Sequence, residues 1–145
     1  MVENKKYIIP YSKEYEVKFT NYISEDPKID DKLILNDPKT KDFLFDFIQH
    51  GLMGMHYEDI LIGIRDMKDF KYLEIDVEEI DNIKDSLDQY KGIFIIFILP
   101  KNGCLDDVKD IQEKYFFIHE DVFSLSQVFL NDDQNTMKLR ILFIN

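Results

Sequence analysis

Alanine and tryptophan are absent from this sequence, and cysteine occurs once, as Cys104. A single thiol excludes an internal disulfide framework and is typical of a reducing compartment. Without alanine, the helices must be stabilised mainly by tertiary packing rather than by intrinsic propensity. Only five glycines are present, and they do not form the glycine-rich loop with which many proteins hold a phosphate group.

Long hydrophobic runs are also missing. The longest uninterrupted apolar run, residues 93–99, contains seven residues, whereas a membrane span needs roughly 18 or more. Residues 1–6 lack the apolar segment of a secretory signal peptide. The sequence therefore predicts a soluble, cytoplasmic protein that does not span a membrane.

The short apolar run is nevertheless the clearest structural signal. It lies between Gly92 and Pro100, and six of its seven residues are β-branched or aromatic. A strand with one solvated face would alternate polar and apolar residues, so this run indicates a strand that is covered on both faces. Helical patterns at 79–90 and 105–115 supply helices for the two faces. We predict an α/β (or α+β) fold with one mixed sheet, a central strand at 92–99 flanked by amphipathic helices, and a single domain spanning 1–145.

The remaining elements follow from periodicity and capping. Asp37 and Pro38 predict the start of a helix, and Gly51 predicts its end. Alternating polar and apolar residues predict strands at 15–20 and 70–77, and short apolar runs predict strands at 7–9, 33–35, 59–66 and 137–144. The short connection between 59–66 and 70–77 predicts an antiparallel hairpin. Residues 73–77, 93–99 and 116–118 are expected in one sheet with parallel pairing, whereas 119–130 fits either a helix or a strand.

The net charge of the chain is −11, and its isoelectric point is near 4.6. A protein that binds the phosphate backbone of a nucleic acid normally needs a face rich in lysine and arginine, so the charge argues against that class. Two explanations remain for the acidity. It maintains solubility, or it provides a negative surface that is steered toward a basic partner.

One acidic row is the most suggestive candidate site. Glu74, Asp76 and Glu78 occupy alternate positions of a predicted strand, about 7 Å apart on one face. Asp59 and Asp66 flank the neighbouring predicted strand and can join the row. Three carboxylates in line repel one another unless they are solvated, hold a cation or meet a basic partner. The row is thus a solvated edge, a divalent-metal site or a partner-binding strip.

The order helix, strand, strand, helix, strand predicted for residues 40–99 resembles the core of the PD-(D/E)xK nucleases. On this resemblance, Asp59 or Asp66 matches the first acid of the family, and residues 72–76 match the strand that carries Glu-x-Lys. In that family the acids hold Mg²⁺ beside the scissile phosphate, and the lysine helps to position or activate water. Because Asp76 occupies the lysine position, the resemblance implies an inactive relative.

The nucleophile and metal-ligand candidates are isolated residues. Cys104 stands at the start of a predicted helix, which favours a reactive thiolate, but Asp106 and Asp107 beside it oppose that. We therefore interpret Cys104 as an ordinary loop or partly buried cysteine rather than a nucleophile. His56 and His119 lie next to carboxylates, but without the spacing of a known metal motif, and His50 lies near the end of a predicted helix. We predict no catalytic residue, no metal site and no cofactor.

Three functional classes follow. The favoured hypothesis is a partner-binding protein of the inhibitor or immunity type, such as an antitoxin or a phage anti-defence protein. It would use Glu74, Asp76, Glu78, Asp59 and Asp66 to cover a basic site on a nuclease or another nucleic-acid-handling protein. The first alternative is a carboxylate–metal enzyme or a degenerate nuclease-like domain. The second alternative is a structural or assembly subunit whose acidic surface serves only solvation.

Overall fold

The computed structural model describes residues 12–49, 56–116 and 121–145. Within these residues there are five α-helices: α1 (Lys13–Glu25), α2 (Asp31–Leu35), α3 (Pro38–Phe47), α4 (Tyr57–Ile64) and α5 (Leu105–Ile111). Two 3-10 helices, Val77–Asn82 and Lys84–Gln89, and a π-helical turn, Gln112–Phe116, complete the helical part. The strands are β1 (Phe70–Asp76), β2 (Gly92–Leu99), β3 (Phe123–Leu130) and β4 (Lys138–Ile144). The strand predicted at 7–9 lies outside the described residues.

The four strands form one mixed sheet in the order β1-β4-β2-β3. Strand β4 is antiparallel to β1 and β2, whereas β2 and β3 are parallel. All eight residues of β2 are buried, as expected for a strand that is covered on both faces. The predicted α/β architecture around strand 92–99 is therefore confirmed. Strand β4 separates β1 from β2, because its nearly continuous apolar sequence also suits an interior position.

Helices cover both faces of the sheet, but their distribution differs from the prediction. Phe94, Ile96 and Ile98 on one face of β2 pack with α1 to α4. The opposite face packs with the 3-10 helices, α5 and the π-helical turn, so the helical segments before and after β2 share one face. Strands β1, β2 and β3 point the same way and advance in one direction across the sheet. Successive right-handed crossovers of that kind lie on a single face.

Three predicted strands are helical. Residues 15–20 belong to α1, where Phe19 and Ile23 are buried one turn apart. A strand would place Val17 on the same face as Phe19, but in the helix Val17 is exposed. Residues 33–35 belong to α2. The alternation at 15–20 fits part of a helical pattern as well as a strand, and tertiary packing selects the helix.

The predicted hairpin does not exist. Most of residues 59–66 lie in α4, which buries Ile60, Leu61 and Ile64 at helical spacing, and Asp66 after it has φ of 61°. The predicted helix 79–90 is replaced by the two 3-10 helices. Residues 123–130 form strand β3, which decides the ambiguous segment. Of the strand predicted at 116–118, Phe116 ends the π-helical turn and the other two residues lie outside the described part.

Gly63 allows α4 to pack closely on the sheet. A Cβ atom placed there would lie 2.6 Å from Cζ of Phe94 and 2.7 Å from Cε1 of Phe123. Phe94 is fully buried, and its ring stacks on Phe47 with centroids 5.2 Å apart. The ring therefore has little freedom to move away, and the position requires a residue without a side chain.

We expect Gly63→Ala to destabilise the protein by about 1–3 kcal/mol through overpacking. The helix propensity of alanine is more favourable than that of glycine by about 1 kcal/mol, which offsets part of this destabilisation. Urea unfolding should show a lower midpoint than for the wild type. Ile62→Ala, at the neighbouring exposed position, is the control and should change the midpoint little. An unchanged or higher midpoint for Gly63→Ala would contradict the close packing.

Candidate functional site

A buried arginine lies in the interior of the sheet. Arg140 belongs to β4 and is only 3% exposed. Its neighbours along the strand, Leu139 and Ile141, are fully buried on the opposite face. The side chain of Arg140 faces the layer formed by α1 to α4. A guanidinium without water needs charged and polar partners, because burial of an isolated charge is strongly unfavourable.

Those partners come from α3 and β1. Nη1 of Arg140 donates to Oδ2 of Asp46 at 2.6 Å, and Nη2 lies 3.5 Å from Oδ2 of Asp42. Nε donates to the hydroxyl of Tyr72 at 2.6 Å. Asp42 and Asp46 are four residues apart, so both carboxylates lie on the same side of α3. We call these four residues the Arg140 cluster.

The start of α3 sets the position of this cluster. The carboxylate of Asp37 accepts hydrogen bonds from the backbone of Lys39 at 3.3 Å and from the hydroxyl of Thr40 at 2.8 Å. Pro38 occupies the first turn, as the sequence predicts. The helix ends at Phe47 rather than continuing to Gly51. This local signal fixes the first residue of α3 and therefore which side chains turn toward β4.

Aromatic rings complete the surroundings of the guanidinium. Its carbon lies 5.5 Å from the ring centroid of Phe43 and 5.6 Å from that of Tyr72, within cation–π distance. Burial raises the pKa of the Tyr72 phenol, and the negative charges of Glu74 and Asp42 act in the same direction, while Arg140 opposes them. Tyr72 is thus a neutral hydroxyl at physiological pH and accepts from Arg140.

A second buried polar side chain anchors α3 to the sheet. Nε2 of Gln127, on β3, donates to the carbonyl oxygens of Phe47 at 3.5 Å and Gln49 at 3.3 Å. Its Oε1 accepts the backbone N–H of Val128 at 3.0 Å. Sequence reasoning missed both Arg140 and Gln127. For Arg140 the available signal was a single charged residue inside the otherwise apolar run 139–144, whereas Gln127 lies in a strand that also contains Ser124 and Ser126 and gives no such signal.

The predicted acidic row is only partly assembled. Glu74 lies opposite Arg140 in the pairing of β1 with β4, and Asp76 lies opposite Lys138, whose Nζ is 4.0 Å from Oδ1 of Asp76. Glu74 is exposed and Asp76 half-buried. Glu78 does not continue the row, because β1 ends at Asp76 and Glu78 lies in the following 3-10 helix.

Asp59 and Asp66 do not join the row, contrary to the prediction. Asp59 is exposed on α4, and α4 packs against α1 and β3, at the other edge of the sheet from β1. Asp66 follows α4, and its N–H donates to the carbonyl of Lys28 at 2.8 Å. With α4 in place of a strand, the order of elements also departs from that of the PD-(D/E)xK core.

The greatest imbalance of charge lies on the helical layer formed by the two 3-10 helices, α5 and the π-helical turn. We call it the acidic layer. It contains three lysines and nine carboxylates, and all nine are exposed: Glu78, Glu79, Asp81, Asp85, Asp88, Asp106, Asp107, Asp110 and Glu113. The opposite layer, residues 13–49 and 57–66, has twelve carboxylates and seven basic residues. That layer has a net charge of −5 over 47 residues, compared with −6 over the 24 residues of the acidic layer, so its negative charge is less than half as dense.

Cys104 and His56 each lie directly before a helix, and the other two histidines lie outside the described residues. Cys104 is exposed at the start of α5; its N–H donates to Oδ2 of Asp107 at 3.0 Å, and its Sγ lies 3.6 Å from the same oxygen. His56 precedes α4 and is exposed. His50 and His119 are outside the described residues. Among the residues that are described, no three His, Cys, Asp or Glu side chains are grouped so that they could hold a metal ion.

A shallow recess of about 460 Å³ lies between the end of α1 and α4. Arg65 lines it, donating from Nε to Oδ2 of Asp26 at 2.7 Å and pairing through Nη1 with Oε1 of Glu58 at 3.1 Å. The hydrogen bond from Arg65, followed by that from the backbone of Lys28, lowers the pKa of the Asp26 carboxyl. The recess contains both charge signs, and its arginine is paired with two of its carboxylates.

Comparison with known proteins gives a likeness of fold. The empty FtsZ dimer from M. jannaschii matches with a TM-score of 0.52 and 14% sequence identity, over 94% of this chain and 52% of that chain. A tryptophan-to-tyrosine mutant of FtsZ from M. jannaschii matches with a TM-score of 0.56 and 12% identity, over 86% and 44%. This chain spans about half the length of these FtsZ chains, and at such identities the likeness shows the fold alone.

No protein-family model matches this chain, and the search of characterised protein sequences gave no significant match. In the three described ranges, none of the helices is both long enough and apolar enough to cross a membrane.

We expect Arg140→Leu to destabilise the protein by about 3–5 kcal/mol, because Asp46 would remain buried without its cation. The double variant Arg140→Leu with Asp46→Leu removes both charges and should return to within about 2 kcal/mol of the wild type. Chemical denaturation of the two variants measures this. Equal destabilisation by both would contradict an ion pair that acts as a unit.

The Asp26–Arg65 pair predicts a specific acid sensitivity. Because the pKa of Asp26 is lower in the folded than in the unfolded state, its contribution to stability is present above the unfolded pKa of about 3.9. That contribution is lost as the pH falls through the folded pKa. Stability measured from pH 6 down to pH 2 should therefore fall less steeply for Asp26→Asn. Arg65→Met, which removes the side-chain hydrogen bond that lowers the pKa of Asp26, should also make the fall less steep. A wild-type slope in both variants would contradict the pair.

Proposed function

We propose that this chain is an acidic partner-binding protein that covers a basic site on another protein. The narrower form of the proposal is an inhibitor or immunity-type protein, such as an antitoxin or a phage anti-defence protein, whose target is a nuclease or another nucleic-acid-handling protein. The observation that carries it is the acidic layer, where nine exposed carboxylates accompany three lysines.

The distribution of the charge favours a partner over mere solubility. General solvation needs no preference for one face, yet the acidic layer has three times as many carboxylates as lysines and the opposite layer fewer than twice as many acidic as basic residues. The two ion pairs formed by lysines of the acidic layer are long, at 4.0 Å, and exposed. They neutralise little of the field.

The chemistry of the partner follows from the sign of that field. A site that handles nucleic acid presents lysine and arginine to phosphate groups. The same side chains are complementary to a dense set of exposed carboxylates, which would steer association and slow it as salt rises. Nucleic acid itself would be repelled from this face. We place the complex in the cytoplasm, where a single thiol remains reduced.

The proposal rests more on the acidic layer than on the row predicted from sequence. Lys138 and Arg140 lie opposite Asp76 and Glu74 and compensate part of their charge. Glu78 belongs to both the row and the acidic layer. Asp59 lies on the opposite layer, so it serves as a control position. No observation of comparable weight favours the metal-enzyme or assembly-subunit alternatives.

Two variants with equal net charge test the proposal. The first neutralises four carboxylates of the acidic layer: Glu78→Gln, Glu79→Gln, Asp85→Asn and Asp88→Asn. The control neutralises four exposed carboxylates of the opposite layer: Glu14→Gln, Glu25→Gln, Glu58→Gln and Asp59→Asn. The wild type and each variant are immobilised and exposed to an extract of the source cells. The association rate of any retained protein is then measured at several salt concentrations.

We expect a retained basic protein whose association with the first variant is at least about tenfold slower and less dependent on salt, because electrostatic steering is lost. The control should change the rate less than about twofold. If no basic protein is retained by the wild type, or if both variants behave alike, the acidic layer is not a binding surface.

A further inference from the structure

Strand β1 is an edge strand with an unused hydrogen-bonding side. Asp69 and Asn145 exchange both backbone hydrogen bonds at 3.0 Å, and the N–H of Val77 donates to the carbonyl of Met137 at 3.0 Å. In an antiparallel pair such residues alternate with residues whose N–H and C=O point away from the partner. Odd-numbered residues of β1 therefore pair with β4, and the backbone of Tyr72 and Glu74 points outward.

Two carboxylates limit the length of this open edge. The N–H of Phe70 donates to Oδ1 of Asp69 at 2.9 Å, and the N–H of Asp76 donates to Oε1 of Glu79 at 3.3 Å. Both amides face outward and are already satisfied. Within the described part of the chain, no acceptor is bonded to the outward amides of Tyr72 and Glu74, which leaves a site for about five residues of an extended strand.

The opposite edge of the sheet is different. The outward N–H of Val128 on β3 is taken by Oε1 of Gln127 at 3.0 Å, and residues 127, 128 and 129 are all buried. On β1 only Ile75 is buried. Edge strands with free amides are templates for another strand. The outward amides of Ser124 and Ser126 on β3 also have no acceptor among the described residues, but β3 contains no carboxylate, so β1 is the edge that can select a basic strand.

The side chains of β1 define what such a strand must contain. On the face toward α3 the strand presents Glu74 and Asp76. The carboxylate of Asp42, which is 59% exposed, lies on the same side, near the phenol of Tyr72. On the other face it presents Leu73 and Ile75, which belong to the apolar core beneath the acidic layer. An added strand alternates between these faces.

We propose that the open edge of β1 binds, by strand addition, a short extended segment of a basic protein in which lysine or arginine alternates with apolar residues. The basic side chains lie beside Glu74 and Asp76, and the apolar ones beside Leu73. This inference deepens the proposed function and rests on it, since it names the mode by which the basic partner is held. The acidic layer accelerates the encounter, while the backbone of Tyr72 and Glu74 fixes the register.

The test uses the full chain and the probe peptide acetyl-Lys-Val-Lys-Val-Lys-amide, followed by NMR. We expect shifts at the amides of Tyr72 and Glu74 and slower hydrogen exchange there. Glu74→Gln removes only the charge and should weaken binding about threefold to tenfold. Glu74→Pro also removes an outward N–H without touching the pairing with β4, and it should weaken binding at least about tenfold further.

A second measurement leaves the protein unchanged. The same peptide N-methylated on the amides that face β1 keeps its charge but cannot form the strand pairing, so it should give no protection at Tyr72 and Glu74. Equal binding of the methylated and unmethylated peptides overturns strand addition. So does absence of any shift at about 1 mM peptide, a concentration that detects a Kd in the millimolar range.

The two proposals fail in different ways. If the peptide shifts only residues of the acidic layer, strand addition is wrong, whereas electrostatic binding of a basic partner is supported. If a basic protein retained by the wild type binds Glu74→Gln and Glu74→Pro equally well, strand addition is again overturned, and the proposed function remains supported. If no basic protein is retained but the peptide protects β1, the open edge is real and its occupant is not the proposed partner.

Discussion

The ion pair between Arg140 and Asp46 is the constraint that relates the sheet to its first helical layer. Two charges that are 3% and 6% exposed lie 2.6 Å apart, and separating them would deprive each buried charge of its short contact with the opposite charge. Apolar contacts tolerate small displacements, whereas this contact does not. It thereby fixes how α3 lies across β4, and with α3 it fixes the positions of Asp42 and of the rings around Tyr72.

The asymmetry of the molecule follows from its connections. Both crossovers from the first to the third strand pass over one face, so the segments between them, which are rich in aspartate and glutamate, form one continuous layer. The chain before β1 covers the other face with a less dense negative charge. Charge is thus separated by topology, although no individual segment contains a binding motif. The order of the strands also leaves β1 at an edge of the sheet, next to the acidic layer.

Sequence reasoning succeeded where local physics dominates. The run that became β2 has no alternative to burial on both faces, and Asp37 with Pro38 begins α3 by hydrogen bonds within four residues. It failed at 15–20 and 59–66, where a few apolar residues fit two periods and the packing partner decides. Asp59 was lost from the predicted site for that reason. Arg140 was missed because its role depends on Asp46, 94 residues earlier in the chain.

The amino-acid sequence alone determined that this chain has an apolar β-core, a large excess of negative charge and no disulfide framework, because these properties depend on composition and on short-range pattern. Only the tertiary structure decided which carboxylates share a face, which arginine is buried and which acidic strand lies at an edge of the sheet. Those facts depend on contacts between residues far apart in sequence. Such contacts are selected by how well whole faces pack together and not by any single segment.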